Sequence, residues 1–437
     1  MPFLPKAIIF LVIAGALAFF LDKEERRGGF EDVDRQYRSW LMANSEAEIL
    51  EPSVTFLAID DPGERVFDSW PLGPVDYSIL VDNLAKTDPR VIAVTPVLGW
   101  RDGVDDILLS SMRSVLLRLD ENQVLLGAEL MLDPSAGVMK ATTMSLFPQL
   151  EKVDGDRSKI PEFTRVAALP EPALTAISPS LGFTRIDLGE AGAERKRDSF
   201  SLPLMARNGQ RVVASFVLMA IVKESGVGLD QVSVSLEDKV IRIGAGEGEL
   251  EIPIDSGGRL SVHTGIRDAI SKHNAEILIL MGAEDIRDQL TEPQKESLLS
   301  RIVILGADDE VARTIDLPKS REKISRAELF AMAIATIQAK RFIQKVPRVV
   351  EVGIWAGLAA LGLLILRVRG KGGVMMWWIV LLILFVISSL MLFQYTGQWG
   401  PVVVPGGMIA SVLLVAMVLA TGKKVEEAAE PDEAAPT

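Results

Sequence analysis

"SVTFLAIDDPGERVFDSWP", Ser53 to Pro71, is the stretch that decides the fold. Its apolar core, Val54 to Ile59, has no wet face and is too short for a helix. It reads as a strand buried on both sides, the kind found inside α/β sheets. The run stops at two adjacent carboxylates, Asp60 and Asp61, followed by Pro62-Gly63 and then by Trp70-Pro71. Successive side chains on a strand point to opposite faces. The two acids can therefore share a proton, a metal or a ligand only if the strand ends at Asp60. Both would then reach the cleft beyond its carboxyl end, where open α/β sheets bind ligands. Capping the strand end and its turn is the structural alternative.

Outward from this strand the same pattern recurs. "RVIAVTPV", "QVLLGAELML", "ILILMG" and "RIVILGAD" read as further buried strands. "VDYSILVDNLAKTD" and "DDILLSSMRSVLLRLDEN" have helical spacing between them. The class is α/β, with helices on both faces of the sheet. "QVSVSLEDKVIRIG" and "LEIPIDSGGRLSVHTG" read as hairpins, turning at Glu237-Asp238 and Ser256-Gly257-Gly258, so the sheet is expected to be mixed. Lys140 to Thr164, polar and aperiodic, is expected as a surface insertion. Ser325 to Ile343 is expected as an amphipathic helix, with Ser325 as N-cap and Glu328 completing a capping box.

The ends of the chain are of a different kind. Of 437 residues 49% are hydrophobic, and the mean hydropathy of +0.27 points to membrane segments. Ala7 to Leu21 is a 15-residue apolar run; extended back to Pro2 it reaches spanning length, and a signal peptide cut after Ala16-Leu17-Ala18 is the alternative. Val349 to Leu366, Val374 to Phe393 and Val402 to Thr421 are each about one span long. Pro405 either kinks the last or starts it. Arg367, Arg369 and Lys371 in one loop, and Lys423-Lys424 in the tail, place those segments in the cytoplasm, while the uncharged loop 394–401 faces outside. This gives an anchor over residues 1–22, an extracytoplasmic α/β domain over 23–348, three spans (349–366, 374–393, 402–421) and a disordered acidic tail over 422–437. Both termini are cytoplasmic. Gly15, Gly357, Gly362, Gly406 and Gly407 would allow close helix contacts.

Several function classes fall away. The formal net charge is -13 and the basic residues are scattered, so no nucleic-acid surface is expected. There is no cysteine, hence no disulfide, thiolate or Cys-ligated zinc, and two histidines do not make a His-rich metal site. The glycines of "LGADDEV" and "GAGEGEL" lack a phosphate-loop pattern and sit among acids.

With these elements in order, the chain resembles the CHASE2 family of extracytoplasmic sensory domains of bacterial membrane receptors. "DRQYR" (Asp34 to Arg38), "FLAIDD…WP" (Phe56 to Pro71), "LGFTRIDL" (Leu181 to Leu188) and "RKRDSFSLPLMARNGQRVVASFVLMA" (Arg195 to Ala220) carry the resemblance. So do "IPIDSGGRLSV", and "RIVILGA" followed by Asp316, Pro318 and "AELFAMAIATI". The likeness runs over about residues 30 to 421. Three positions depart from it: Pro74 stands where the family commonly has Arg, Thr95 where it has Asp, and Phe330 where it has His.

The resemblance implies a sensory protein of the bacterial inner membrane, working as a homodimer in many members, with Asp60, Asp61, Trp70, Asp316 and Arg197 as ligand contacts. Many members carry a cyclase or kinase after the last span. Here sixteen residues follow Thr421, so the signal is expected to pass to a partner protein. FecR-like envelope proteins are the partner the family association suggests. The other readings are an accessory envelope subunit and, remotely, a periplasmic hydrolase using Asp60, Asp61 and Asp316. No catalytic residue, cofactor or metal is assigned. Trp70 as a loop plug, Arg195 to Arg197 as a solvated turn, and His263 and His273 as structural groups are the plain alternatives. Glu351 is expected at the membrane interface.

Overall fold

The structure, a computed structural model, describes residues 3–27, 29–45, 53–60, 72–100, 105–120, 123–133, 141–177, 180–187, 200–280, 290–298, 301–317, 322–367 and 371–428. The chain forms two compact units. One is Glu48–Phe342; the other joins Met1–Ala47 to Ile343–Thr437.

Unit Glu48–Phe342 begins with β1 (Val54–Ile59), β2 (Val91–Val94) and β3 (Val124–Met131), linked through the helices Pro74–Ala85 and Asp106–Arg118. Next come β4 (Lys152–Asp154), β5 (Arg165–Ala168), β6 (Leu181–Asp187), β7 (Ser201–Pro203), β8 (Met205–Asn208) and β9 (Arg211–Ala214). The helix Phe216–Ser225 leads to β10 (Val232–Ser235), β11 (Val240–Ile243), β12 (Leu250–Pro253), β13 (Arg259–Ser261) and β14 (Ser271–Asn274). Last are β15 (Ile302–Ala307), β16 (Arg313–Asp316), β17 (Lys323–Ser325) and the helix Arg326–Gln338.

The main sheet has the order β14-β1-β15-β2-β3-β5, with β6 also paired to β3. Its pairs are parallel except β3–β5, so the sheet is mixed, as expected. β1 is central, with Phe56 opposite both Lys272 and Ile304. Its alternation supplies two cores at once. Val54, Phe56 and Ala58 face one cluster, with the helices Phe216–Ser225 and Arg326–Gln338. Leu57 and Ile59 face the other, with the helices Pro74–Ala85 and Asp106–Arg118. All six β1 side chains are buried, which explains why Thr55, with its hydroxyl donating to Ser297 O, is the one polar residue in the run. Each large one contributes roughly 1.5–3 kcal/mol of burial.

Four expectations change. "ILILMG" supplies the short helix Glu276–Leu280, begun by the Asn274 carboxamide oxygen accepting from the Glu276 N–H; the edge strand is the polar β14. A short apolar run has too few turns to show its period. The turn at 255–258 closes, with Asp255 N donating to Arg259 O at 2.9 Å, but the strands then separate. β12 pairs with β11 and β13 with β7, so "LEIPIDSGGRLSVHTG" is not a hairpin. Lys140 to Thr164 is no surface insertion. β4 joins the four-stranded sheet β12-β11-β10-β4, and Phe147, Leu150, Val153, Ile160 and Phe163 are buried from irregular backbone, which hides their period. The closing helix is buried continuously from Ala327 to Ile337 rather than amphipathic, because it is an inner layer. Gly306 permits this: a Cβ there would collide with the Ala327 methyl group and lie 2.6 Å from Thr95 Oγ1.

The second unit contains the helices Phe3–Arg26, Glu31–Asn44, Arg348–Arg367, Lys371–Thr396 and Val403–Ala428. Phe10, Ala14, Leu358, Leu381, Met408 and Val412 form its apolar cluster. Among the described residues, two helices are long and apolar enough to cross a membrane, Arg348–Ile365 and Met375–Thr396; Val403–Val415 is apolar but shorter. Pro405 lies in the first turn of its helix, the tolerated position. Gly362 abuts Phe10 and Val412, and Gly407 abuts Leu17 and Leu21, while Gly15, Gly357 and Gly406 have nothing within 4 Å of a Cβ position. Glu351 is buried and paired, its carboxylate 2.6 Å from Arg348 and 3.5 Å from Lys345.

Candidate functional site

β1 ends as the acidic pair required. Asp60 is the first residue past the strand, and the neighbouring β15 ends in register with β1, Ile59 opposite Ala307. The acid that follows β15 is Asp308, which is fully buried. Arg313 bridges the two strand ends: its Nη2 lies 2.9 Å from Asp308 Oδ2 and 3.4 Å from Asp60 Oδ2. From β14, Lys272 Nζ donates to the same Asp308 oxygen at 2.7 Å and reaches Glu328 Oε2 at 3.2 Å. Glu328 is held by the helix start, where Ser325 Oγ accepts from its N–H at 3.2 Å. Arg267 closes the chain with 2.6 Å bonds to Glu328 and Glu322.

Four carboxylates thus meet three cations across the carboxyl end of the sheet. Burial alone would push the Asp308 carboxyl up; hydrogen bonds from Arg313 and Lys272 outweigh it and hold the group below the usual carboxylate range. The hydrogen bond to Asp308, and then its charge, in turn raise Arg313. These ion pairs hold the side chains in fixed relative positions. Among the described residues no three His, Asp or Glu side chains group as a metal set.

The sequence-derived residues distribute unevenly. Asp60 joins the network. Asp316 lies exposed on the β16–β17 hairpin, opposite Lys323 in register. Asp61, Trp70 and Arg197 lie outside the described residues. Asp308, Lys272, Arg313 and Arg267 were not singled out from sequence. Asp308 carries the same signal as Asp60, an acid directly after a buried strand. His263 is buried, with its N–H donating to Thr336 Oγ1 at 3.1 Å, and His273 Nε2 lies 2.6 Å from Ser297 Oγ.

A cavity of about 310 Å³ lies elsewhere in the same unit, among β6, β7 and the N-terminal turns of the helices Phe216–Ser225 and Arg326–Gln338. Phe183, Leu202, Val217, Leu329 and Phe330 line its apolar part. Phe330 stacks on Phe216 with ring centroids 5.7 Å apart. Arg185, Arg259 and Arg326 line its polar part. Of the departing positions, Phe330 therefore belongs to this cavity. Thr95 Oγ1 donates to Leu305 O at 3.2 Å, and Pro74 opens its helix.

The CHASE2 domain family model matches residues 8–367 of the chain. The match begins inside the first helix and stops before Lys371–Thr396, a different span from the 30–421 expected. No curated protein and no solved structure matches.

Proposed function

The chain belongs to the CHASE2 family, a family of extracytoplasmic sensory domains, and on that premise we propose that it is a membrane-anchored sensor. The observation that carries this reading is the insertion of a self-contained α/β unit into a helical unit whose apolar side chains face outward. Phe19 is 70% exposed, Leu364 59% and Met375 58%, surfaces suited to lipid rather than water. In the proposed arrangement the helices starting at Phe3, Arg348, Lys371 and Val403 all cross the bacterial inner membrane. Residues 23–348 lie outside, and both termini lie in the cytoplasm.

A ligand on the α/β unit signals only if it binds one arrangement of the membrane helices better than another. The signal then passes to a partner, an envelope protein or a second copy. We assign no catalytic chemistry to the protein.

The chain has no cysteine, so single-cysteine labelling tests the topology directly. In intact cells stripped of any outer membrane, a membrane-impermeant maleimide should label Glu237→Cys, on the exposed β10–β11 turn. Gly370→Cys, in the basic loop, should react only after lysis. Equal labelling of both before lysis would overturn the arrangement.

A further inference from the structure

We propose that the cavity beside β6 binds a small organic carboxylate with an apolar body; this rests on the sensor reading and names its ligand class. Arg185, Arg259 and Arg326 line the cavity, and Arg185 lies near enough to Arg326 for their charges to act on each other. Arg326 Nη1 donates to Thr184 O at 3.3 Å, which turns it toward β6. Arg259 is fixed by Ser201, donating to its carbonyl at 2.8 Å and to its hydroxyl at 3.2 Å. Arg185 has no hydrogen-bond or ion-pair partner among the described residues. The charge of Arg185 acts unfavourably on Arg326, and Glu129, opposite Arg185 in the β3–β6 register, offsets part of it. Glu129 against Arg185 and Arg326 leaves an excess of one positive charge among these three groups. Arg185 and Arg326 are both exposed, so their repulsion is screened by water, and an anion bound between them removes it through charge-assisted bonds.

The rest of the cavity selects against a bare inorganic anion. Phe183, Leu202, Val217 and Phe330 offer nothing to phosphate or sulfate but match an apolar body. The volume of about 310 Å³ is near the lower end of small-molecule sites, which excludes nucleotides and whole lipids. Guanidinium forks suit a carboxylate bidentately.

The test uses the full-length chain in lipid nanodiscs and calorimetric titration with three probes: phenylacetate, 2-phenylethanol and inorganic phosphate. Phenylacetate should bind at least tenfold tighter than the neutral alcohol, and phosphate should not compete with it. The double variant Arg185→Gln/Arg326→Gln should lose at least tenfold in phenylacetate affinity and keep its thermal midpoint, since it removes a like-charge pair. The alcohol should bind that variant unchanged. Equal binding of acid and alcohol, competition by phosphate alone, insensitivity to the double variant, or no binding of any probe would each overturn the ligand class. The sensor reading stands or falls separately, on the cysteine labelling.

Discussion

Replacing His263 with Gln should flatten the acid limb of the stability curve. His263 follows β13 and is 3% exposed, beneath the closing helix. Burial, and secondarily the charge of Arg341, lower its pKa from 6.5 to about 4. The folded protein thus holds this imidazole neutral at a pH where the unfolded chain protonates it. The sign follows from linkage: between the two values the unfolded state binds more protons, so stability rises with pH. The contribution is complete above about pH 6.5 and is lost as pH falls toward 4. A shift of 2.5 pH units, the difference between those two values, corresponds to about 3 kcal/mol at 1.36 kcal/mol per unit. Thermal unfolding of the full chain in detergent, followed by tryptophan fluorescence from pH 4 to 8, measures it. Wild type should lose several degrees more than His263→Gln between pH 6.5 and 4.5. His273, also held down by burial, and the carboxylates titrate in both proteins and cancel in the comparison. Any uniform loss of stability from altered packing leaves the slope unchanged, and only the slope reports the neutral imidazole. Parallel curves would refute it.

Two further substitutions probe the charged groups. Asp308→Asn should destabilise by about 2 kcal/mol, because it removes the buried negative charge that Lys272 and Arg313 pair with, discounted for the partial exposure of both cations. Asp60→Asn, on a more exposed pair, should cost less than about 0.5 kcal/mol by the same melting assay. The Asp308 effect should shrink as pH drops below about 4, since a depressed carboxyl stabilises above its unfolded pKa and loses that contribution on protonation. Asp34 has the opposite sign. Burial, then Glu25, raise it to about 6, so its ionisation opposes folding as pH rises from 4 to 6. Asp34→Asn should raise the melting temperature at pH 7.5 and leave it unchanged at pH 4.

The strand framework was legible because β1, β2, β3 and β15 are buried on both faces for most of their length, which forces largely apolar runs. β14 was not legible. Its sequence, Ser271 to Asn274, is polar since it holds the sheet edge, and its Lys272 is recruited by Asp308 and Glu328. The apolar run beside it went instead to the helix Glu276–Leu280, whose Leu278 packs on the Leu57 side of the sheet. The loss of amphipathic pattern in Arg326–Gln338 has the matching cause: a helix lying between the sheet and a second layer has no wet face to mark.

The site was less legible than the fold because its charges come from places that sequence spacing does not connect. Asp60 and Asp308 are 248 positions apart, and only the adjacency of β1 and β15 brings them to one arginine. The same holds for the cavity, whose arginines come from β6, β13 and the closing helix. The consequence for "FLAIDD" is a change of role. Asp60 is paired with Arg313, whereas Arg185, which lines the cavity, has no ion-pair partner among the described residues. Electrostatics therefore separates the two places in function: the end of β1 fastens the sheet to its closing helix, and the cavity beside β6 keeps the charge that a ligand can complete.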